Sequence, residues 1–283
     1  MTGQSWFSRV GWRHLVALGA CVFALFPILY VVSAAFNPLG TLSSTALIPN
    51  GASTVNFQNL FEKTAFTNWF VNSIIIAGFA TAFSLALSTF AAYAFSRFRF
   101  TGRRPGLLSL LIIQMFPQFL AIVAIYLMFT KISDLYPAIG FNTSWSLILL
   151  YMGGALGVNT WLMKGFFDTV PIELDESAKV DGASHSVTFF RIILPLVTPI
   201  LAVVGVLSFI GAINEFLMAS IFLTDNTSKT LAVGLYGLVA GERNANFGLF
   251  AAGTLLTAIP TVILFFSLQR YIAGGLTAGA VKG

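Results

Sequence analysis

The stretch that decides the fold is Glu176-Ser177-Ala178-Lys179-Val180-Asp181-Gly182, which Ile192-Ile193-Leu194-Pro195 follows. Both lie in a charged segment, residues 164–197, of a chain that is otherwise almost continuously apolar. A short polar helix between two apolar spans is exposed to water, where another protein can contact it. The segment therefore predicts a membrane protein that is driven by a separate soluble partner.

The composition of the 283 residues is that of a membrane protein. Hydrophobic residues make up 57% of the chain and charged residues 9%, whereas a soluble domain has roughly a quarter of its residues charged. The placement of the net charge of +5 suits membrane orientation, so it does not indicate a nucleic-acid partner. The single cysteine, Cys21, excludes an intrachain disulfide and a cysteine-based metal cluster.

Six apolar stretches are each long enough to cross roughly 30 Å of hydrocarbon as a helix. Helices are expected because unpaired backbone groups are costly in lipid and no strand-like alternation is present. The sequence thus predicts an all-α integral membrane protein with one transmembrane domain over residues 1–283. The predicted spans are 14–36, 70–96, 106–129, 145–163, 198–223 and 248–268.

The flanks of the first span resemble a cleavable signal, with Arg9 and Arg13 before it and Ser33-Ala34-Ala35 after it. Its apolar run exceeds the roughly 7–15 residues of a signal core, so we expect a retained anchor.

The basic residues predict the orientation of the spans. An even number of spans places both termini on one side, and eleven of the fifteen Lys and Arg residues fall on that side. The termini and the loop 164–197 are therefore expected in the cytoplasm. The outer loops are then 37–69, 130–144 and 224–247.

Local signals predict a short helix over residues 172–182. Glu173, Asp175 and Glu176 would lie near its positive N-terminus, and Asp175 and Lys179 form a favourable pair four residues apart. Gly182 is a natural helix stop.

One face of this helix carries Leu174, Ala178 and Gly182, and its slimness would let another protein approach the backbone closely. We expect Glu176 to contact a basic residue of that partner. Two alternatives remain open: Glu176 only stabilises the helix terminus, or the whole loop is a solvated segment that sets topology.

The spacing of the motif resembles the signature loop of permease subunits of ABC importers. That loop reads Glu-Ala-Ala, three residues, Gly, nine residues, Ile-x-Leu-Pro, and only Ser177 departs from it. Gln114-Met115-Phe116-Pro117, residues 230–234 and the tail 275–283 resemble the maltose/maltodextrin-type permease that lacks a large periplasmic insertion.

The resemblance implies a type I ABC importer permease fold in a prokaryotic inner membrane. It implies a second permease subunit, two ATPase subunits that bind ATP and Mg²⁺, and an external sugar-binding protein. This chain would bind no cofactor itself, and it contains no Gly-x-x-x-x-Gly-Lys-[Ser/Thr] motif.

The resemblance also implies roles for three segments. The helix 172–182 would sit in a cleft of the ATPase, the tail would reach toward the ATPase pair, and 224–247 would enter the sugar site of the binding protein. The expected coupling residues are Glu173, Leu174, Glu176, Ser177, Ala178, Gly182, Leu194 and Pro195.

Polar residues inside the spans are the candidates for a transport pathway. Glu215 is the only Asp, Glu, Lys or Arg within the predicted spans, which makes it a functional candidate, with Asn214 beside it. Small residues such as Ala212 and Ala219 share its face of the helix, and such a face equally suits close packing against another helix. Gln114 and Gln118 lie around Pro117 and could contact sugar, or their amides could bond neighbouring helices.

Other classes of protein fit the sequence less well. A channel or receptor could have six spans, but neither explains the charged loop. An intramembrane enzyme is disfavoured because the two histidines, His14 and His185, lie outside the membrane core without paired acids or metal-ligand spacing. An ABC permease for another solute remains an alternative.

Overall fold

The computed structural model describes residues 10–41, 48, 51–240 and 246–280; the side chains of Gln118 and of residues 272–280 fall outside that description. Every regular element within these ranges is helical, which confirms the predicted all-α class. The α-helices are α1 (Trp12–Phe36), α2 (Val55–Lys63), α3 (Phe66–Arg97), α4 (Arg103–Met115), α5 (Ile122–Leu135), α6 (Ser144–Phe167), α7 (Glu173–Val180), α8 (His185–Val187), α9 (Leu194–Leu196), α10 (Thr198–Asn214), α11 (Leu217–Phe222), α12 (Leu231–Val239) and α13 (Phe247–Ala280).

Among the described residues, four helices are long and apolar enough to cross a membrane unbroken, α1, α3, α6 and α13, and two bent helix pairs bring the number to six if each pair is one span. The four unbroken helices coincide with the predicted first, second, fourth and sixth spans. The helices extend beyond the predicted spans, since α3 begins at Phe66 and α6 continues to Phe167. The predicted outer loops also contain helical structure, namely α2 and α12.

The predicted third span, 106–129, corresponds to two helices joined by a sharp bend, which together are long and apolar enough for one span. α4 ends at Met115, a 3-10 turn covers Gln118–Ala121, and the two halves of the pair are bent by 82°. The cause is Pro117, whose ring and missing N–H disrupt a helix. Phe116 before it is accordingly extended, with φ −73° and ψ 125°.

The predicted fifth span, 198–223, is also interrupted. α10 ends at Asn214, Glu215 is extended with φ −68° and ψ 124°, and α11 begins at Leu217. A second bend precedes this span, because the segment His185–Leu196 meets α10 at 74°.

The chain divides into two compact units. One holds the described residues up to Phe66 together with Gly234–Ala258. Within it the buried amide of Asn56 caps the end of α1, donating to the carbonyl oxygens of Ala35 at 3.0 Å and Asn37 at 2.8 Å. Such bonds satisfy carbonyls that the helix end leaves unpaired.

The other unit holds Thr67–Val233 and the residues from Ile259 onward. One apolar cluster joins α3, α6 and the segment around the π-helix Thr188–Ile193. A second cluster joins α3, α5, α6 and α11. The charged loop is therefore packed onto the spans rather than detached from them.

Candidate functional site

α7 forms where the local signals predict it. Glu173, Asp175 and Glu176 occupy its first turn, where the helix dipole favours negative charge. Beyond its last turn Gly182 has φ +77°, and its N–H donates to the carbonyl oxygen of Lys179 at 3.0 Å. Glycine adopts this left-handed conformation without the steric penalty of a Cβ.

The two faces of α7 have different surroundings. Ala178 is only 4% exposed and Leu174 packs against the core cluster, whereas Glu173, Glu176 and Ser177 are exposed. Of the three residues on the predicted face, Leu174 and Ala178 are therefore covered by their own chain, whereas Gly182 is exposed. The small side chain of Ala178 instead lets the core of its own chain approach closely.

The sequence did not predict that two apolar side chains would be exposed near the outward face of α7. Ile172 is 52% exposed and Val180 is 88% exposed. Val180 follows Glu173, Glu176 and Ser177 at helical spacing. The outward face therefore combines acidic, hydroxyl and apolar groups.

Asp175 lies on the inward face and is held by α3. Its Oδ2 is 2.9 Å from Nε of Arg97, and both side chains are less than a tenth exposed. The Nε–H is not aimed at the carboxylate, so this contact is an ion pair rather than a directed hydrogen bond. The Tyr93 hydroxyl donates to the other oxygen at 3.3 Å. The predicted partner Lys179 is replaced by Arg97.

A second set of polar contacts, centred on Asp168, joins the end of α3 to the turn before α7. The Ser96 hydroxyl donates to Oδ1 of Asp168 at 2.7 Å, and Lys164 pairs with Oδ2 at 2.5 Å. Burial raises the pKa of Asp168, but the hydrogen bonds from Lys164 and Ser96 outweigh this effect and lower the pKa below its ordinary value.

The two remaining coupling candidates, Leu194 and Pro195, lie outside α7. Leu194 packs against the core cluster that also contains Phe167 and Phe189, and Pro195 is exposed. Their place at the bend before α10 suits a role in directing the chain into the next span.

A cleft of about 1140 Å³ is lined by α4, α6 and α10. Most of its lining is apolar, and its polar side chains are Gln114, Tyr151, Asn159, Ser208 and Glu215. The Asn159 amide donates to the hydroxyls of Ser84 at 3.2 Å and Ser208 at 3.1 Å. The Asn159 amide and the Ser208 hydroxyl are therefore already hydrogen-bonded within the protein.

The amide candidates bond to the protein as well. Nε2 of Gln114 donates to the carbonyl oxygen of Gly154 on α6 at 3.1 Å, as the helix-bonding alternative predicts. Asn214 donates to the carbonyl oxygen of Ile210 in its own helix at 2.8 Å. The side chain of Gln118 lies outside the described residues.

Glu215 joins the two helices that flank it and α6. Its Oε1 accepts from the Met218 N–H at 2.8 Å and its Oε2 from the Ala219 N–H at 3.0 Å. The Tyr151 hydroxyl donates to Oε2 at 2.6 Å. The carboxylate thus satisfies the first N–H groups of α11 and holds the interruption of the span in place.

Sequence reasoning missed Tyr93, Arg97 and Tyr151. Tyr151 and Tyr93 occur in apolar helices, where a hydroxyl needs a partner, and this requirement was an available signal. No comparable signal identified the partner of each residue.

Comparison with known proteins adds the family. The family model of the binding-protein-dependent transport system inner membrane component matches residues 84–277. This range contains α7, Pro195 and the cleft.

Similar proteins cover nearly the whole chain. The galactooligosaccharides transport system permease protein GanQ of Bacillus subtilis is 42% identical over 280 residues, covering 98% of this chain and 97% of that protein. The maltodextrin transport system permease protein MalD of Streptococcus pneumoniae is 39% identical, covering 95% and 94%. The maltose/maltodextrin transport system permease protein MalG of Escherichia coli is 39% identical, covering 98% and 97%.

A solved structure supports the fold. A chain of a bacterial ABC transporter involved in the import of the acidic polysaccharide alginate has a TM-score of 0.78 at 20% identity, with 96% of this chain and 99% of that chain covered. The matched family range, the full-length relatives and this fold agree, and the chain belongs to the binding-protein-dependent transport system inner membrane components, the permeases of ABC importers.

Proposed function

We propose that this permease carries maltose- or maltodextrin-like oligosaccharides across the inner membrane in an ATP-driven importer. The names of the relatives support this proposal, since MalD and MalG are maltodextrin permeases and GanQ serves galactooligosaccharides. All three names describe sugar oligomers. The transporter would contain a second permease, two ATPase subunits that bind ATP and Mg²⁺, and an external sugar-binding protein.

The observation that carries the coupling proposal is the two-sided character of α7. Its inward face is fixed by Asp175 and Ala178, while Glu173, Glu176 and Ser177 face outward. An anchored helix with an exposed acidic face can transmit a push from a soluble protein. We assign this outward face to the ATPase, with the loop 164–197 and both termini in the cytoplasm.

Two expected contacts lie partly beyond the described residues. Residues 241–245 of the outer loop and residues 281–283 of the tail are not described, nor are the side chains of 272–280. We retain the outer loop as the contact for the binding protein and the tail as a contact for the ATPases.

For the pathway we propose a supporting role for Gln114 and Glu215, because their polar atoms bond neighbouring helices. Asn214 is exposed and stays a candidate for contact with passing sugar, although its amide bonds its own helix and it is not among the residues that line the cleft. ATP hydrolysis is assigned to the separate ATPase, since this chain's family is a membrane component.

The substitution Gly182→Asn tests docking at α7, with Gly102→Asn as the matched control. Both glycines have positive φ, +77° and +92°, and nothing lies within 4 Å of an added Cβ at either position. Asparagine tolerates this backbone conformation, so strain is similar in the two variants. Only Gly182 adjoins α7.

We expect Gly182→Asn to lower ATP-dependent sugar uptake about tenfold, because a loss of about 1.4 kcal/mol of docking free energy weakens ATPase binding about tenfold, while Gly102→Asn transports normally. The measurement is ATP-dependent uptake by the reconstituted complex. Equal uptake by the two variants would contradict docking at α7, and a purified complex without an ATPase would contradict the importer itself.

A further inference from the structure

We infer that Arg97 and Asp175 are positioning residues that form the joint through which movement of α7 reaches α3. This inference rests on the proposed coupling role of α7. It adds a specific pair of side chains and names α3 as the span that responds directly.

The joint connects segments that are distant in sequence. Nε of Arg97, at the end of α3, lies 2.9 Å from Oδ2 of Asp175 on α7. Nη2 of the same side chain donates to the carbonyl oxygen of Val170 at 2.8 Å. One guanidinium therefore holds both α7 and the turn that leads into it.

Neighbouring residues of α3 reinforce this contact. The Tyr93 hydroxyl donates to Asp175 at 3.3 Å, one turn before Arg97, and its ring lies 5.9 Å from that of Phe167 and 4.7 Å from that of Phe189. The ring packing fixes the position of the hydroxyl. The last turn of α3 thus meets α7 with a cation, a hydroxyl and an aromatic surface.

Burial makes the joint stiff. The side chains of Arg97 and Asp175 are 8% and 9% exposed, so water cannot readily replace one partner when the other moves. Separating two charges that water does not solvate is strongly unfavourable. Displacement of α7 is therefore expected to carry the end of α3 with it.

The nearby Lys164 and Asp168 pair provides a natural comparison. Its two residues lie four apart along one stretch of chain; Asp168 also accepts from the Ser96 hydroxyl of α3 at 2.7 Å, but its side chain is 43% exposed. Water can solvate it when it opens. We therefore assign the transmission of movement to Arg97 and Asp175 and not to this exposed pair.

The test uses the complete transporter in proteoliposomes, with the ATPase and binding protein present. The variants are Asp175→Asn, which removes the charge with little change of shape, and Arg97→Met combined with Asp175→Leu, which removes both charges. Asp168→Asn is the control. The readout is the ratio of sugar transported to ATP hydrolysed, together with the melting temperature of each complex.

We expect this ratio to fall about tenfold, within the usual range of coupling between sites, in both joint variants and to remain normal in Asp168→Asn. The double variant distinguishes a loss of coupling from a loss of stability. Replacing both members of a buried ion pair by apolar groups often leaves the protein folded, so a lower ratio in this variant is not explained by unfolding. A normal ratio in a folded double variant would overturn the joint. Absence of ATP-dependent uptake in the wild type would overturn the proposed function, and the joint with it.

Discussion

The two ends of α3 are attached to the rest of their unit by different chemistry. At the Trp69 end, neutral side chains bond the backbone of residues 226–231. The Trp69 indole N–H donates to the carbonyl oxygen of Asn226 at 2.7 Å, and Ser73 accepts from the Leu231 N–H at 2.7 Å. At the Arg97 end, the guanidinium pairs with the carboxylate of Asp175 at 2.9 Å and also donates to the carbonyl oxygen of Val170.

The difference separates two structural tasks. Hydrogen bonds to backbone groups fix the shape of a connecting segment, because each loop carbonyl or N–H needs a partner. A buried ion pair fixes one helix against another and tolerates little separation. α3 therefore holds a loop in shape at one end and a helix in position at the other.

The largest expected effect is at the charged end. Arg97→Ala should destabilise the protein by about 3–5 kcal/mol, because it leaves Asp175 buried without its cation. Chemical denaturation of the purified protein in detergent measures this loss. A loss below about 1 kcal/mol, the median range of exposed pairs, would show that the pair behaves as a surface contact.

A smaller loss is expected at the neutral end. Ser73→Ala should cost about 1–3 kcal/mol, because the Leu231 N–H is left buried without its acceptor. Ser88→Ala is the matched control: its hydroxyl is buried and has no hydrogen-bond partner in the part of the chain that the structure describes. That control should be neutral or stabilising, and equal losses at both serines would contradict the assigned role of Ser73.

Replacement of Asn72, at the Trp69 end of α3, is expected to cost still less stability. Its amide donates to the carbonyl oxygens of Thr227 at 2.8 Å and Lys229 at 3.1 Å. Asn72→Ala should cost about 1 kcal/mol, whereas Asn214→Ala removes only a bond within one helix and should cost less. Denaturation curves of the two alanine variants compare them directly.

The smallest effect concerns acid. The pKa of Asp168 is below its ordinary value, so its interactions stabilise the protein above the ordinary Asp pKa of about 3.9. That contribution is lost as the pH falls through the depressed pKa. The stability advantage of the wild type over Asp168→Asn should therefore shrink below about pH 4, and a constant advantage down to lower pH would contradict the pairing.

The long spans could be predicted because length and apolar composition alone determine them. Both interruptions had visible signals. Pro117 lies inside the predicted third span, and a proline ring disrupts a helix, which accounts for the 82° bend of the pair. Glu215 precedes Met218 and Ala219 at the spacing of an acid that caps a helix, a signal that neither the pathway interpretation nor the packing interpretation used.

The contacts of α7 could not be predicted from the sequence. A small residue such as Ala178 suits close packing against a partner or against the same chain equally well. The pairing of Asp175 with Arg97 depends on how distant helices meet, and no local spacing encodes it. Which side chains of α7 are exposed, namely Glu173, Glu176 and Ser177, depends on which face of the helix packs against the spans.

Val180 has a consequence for how the transporter is assembled in the cell. An apolar side chain that is 88% exposed on a short acidic helix favours burial by another protein over contact with water. A subunit synthesised in excess of its companions would keep this spot uncovered. Docking of the proposed ATPase on this face would then remove the Val180 side chain from water.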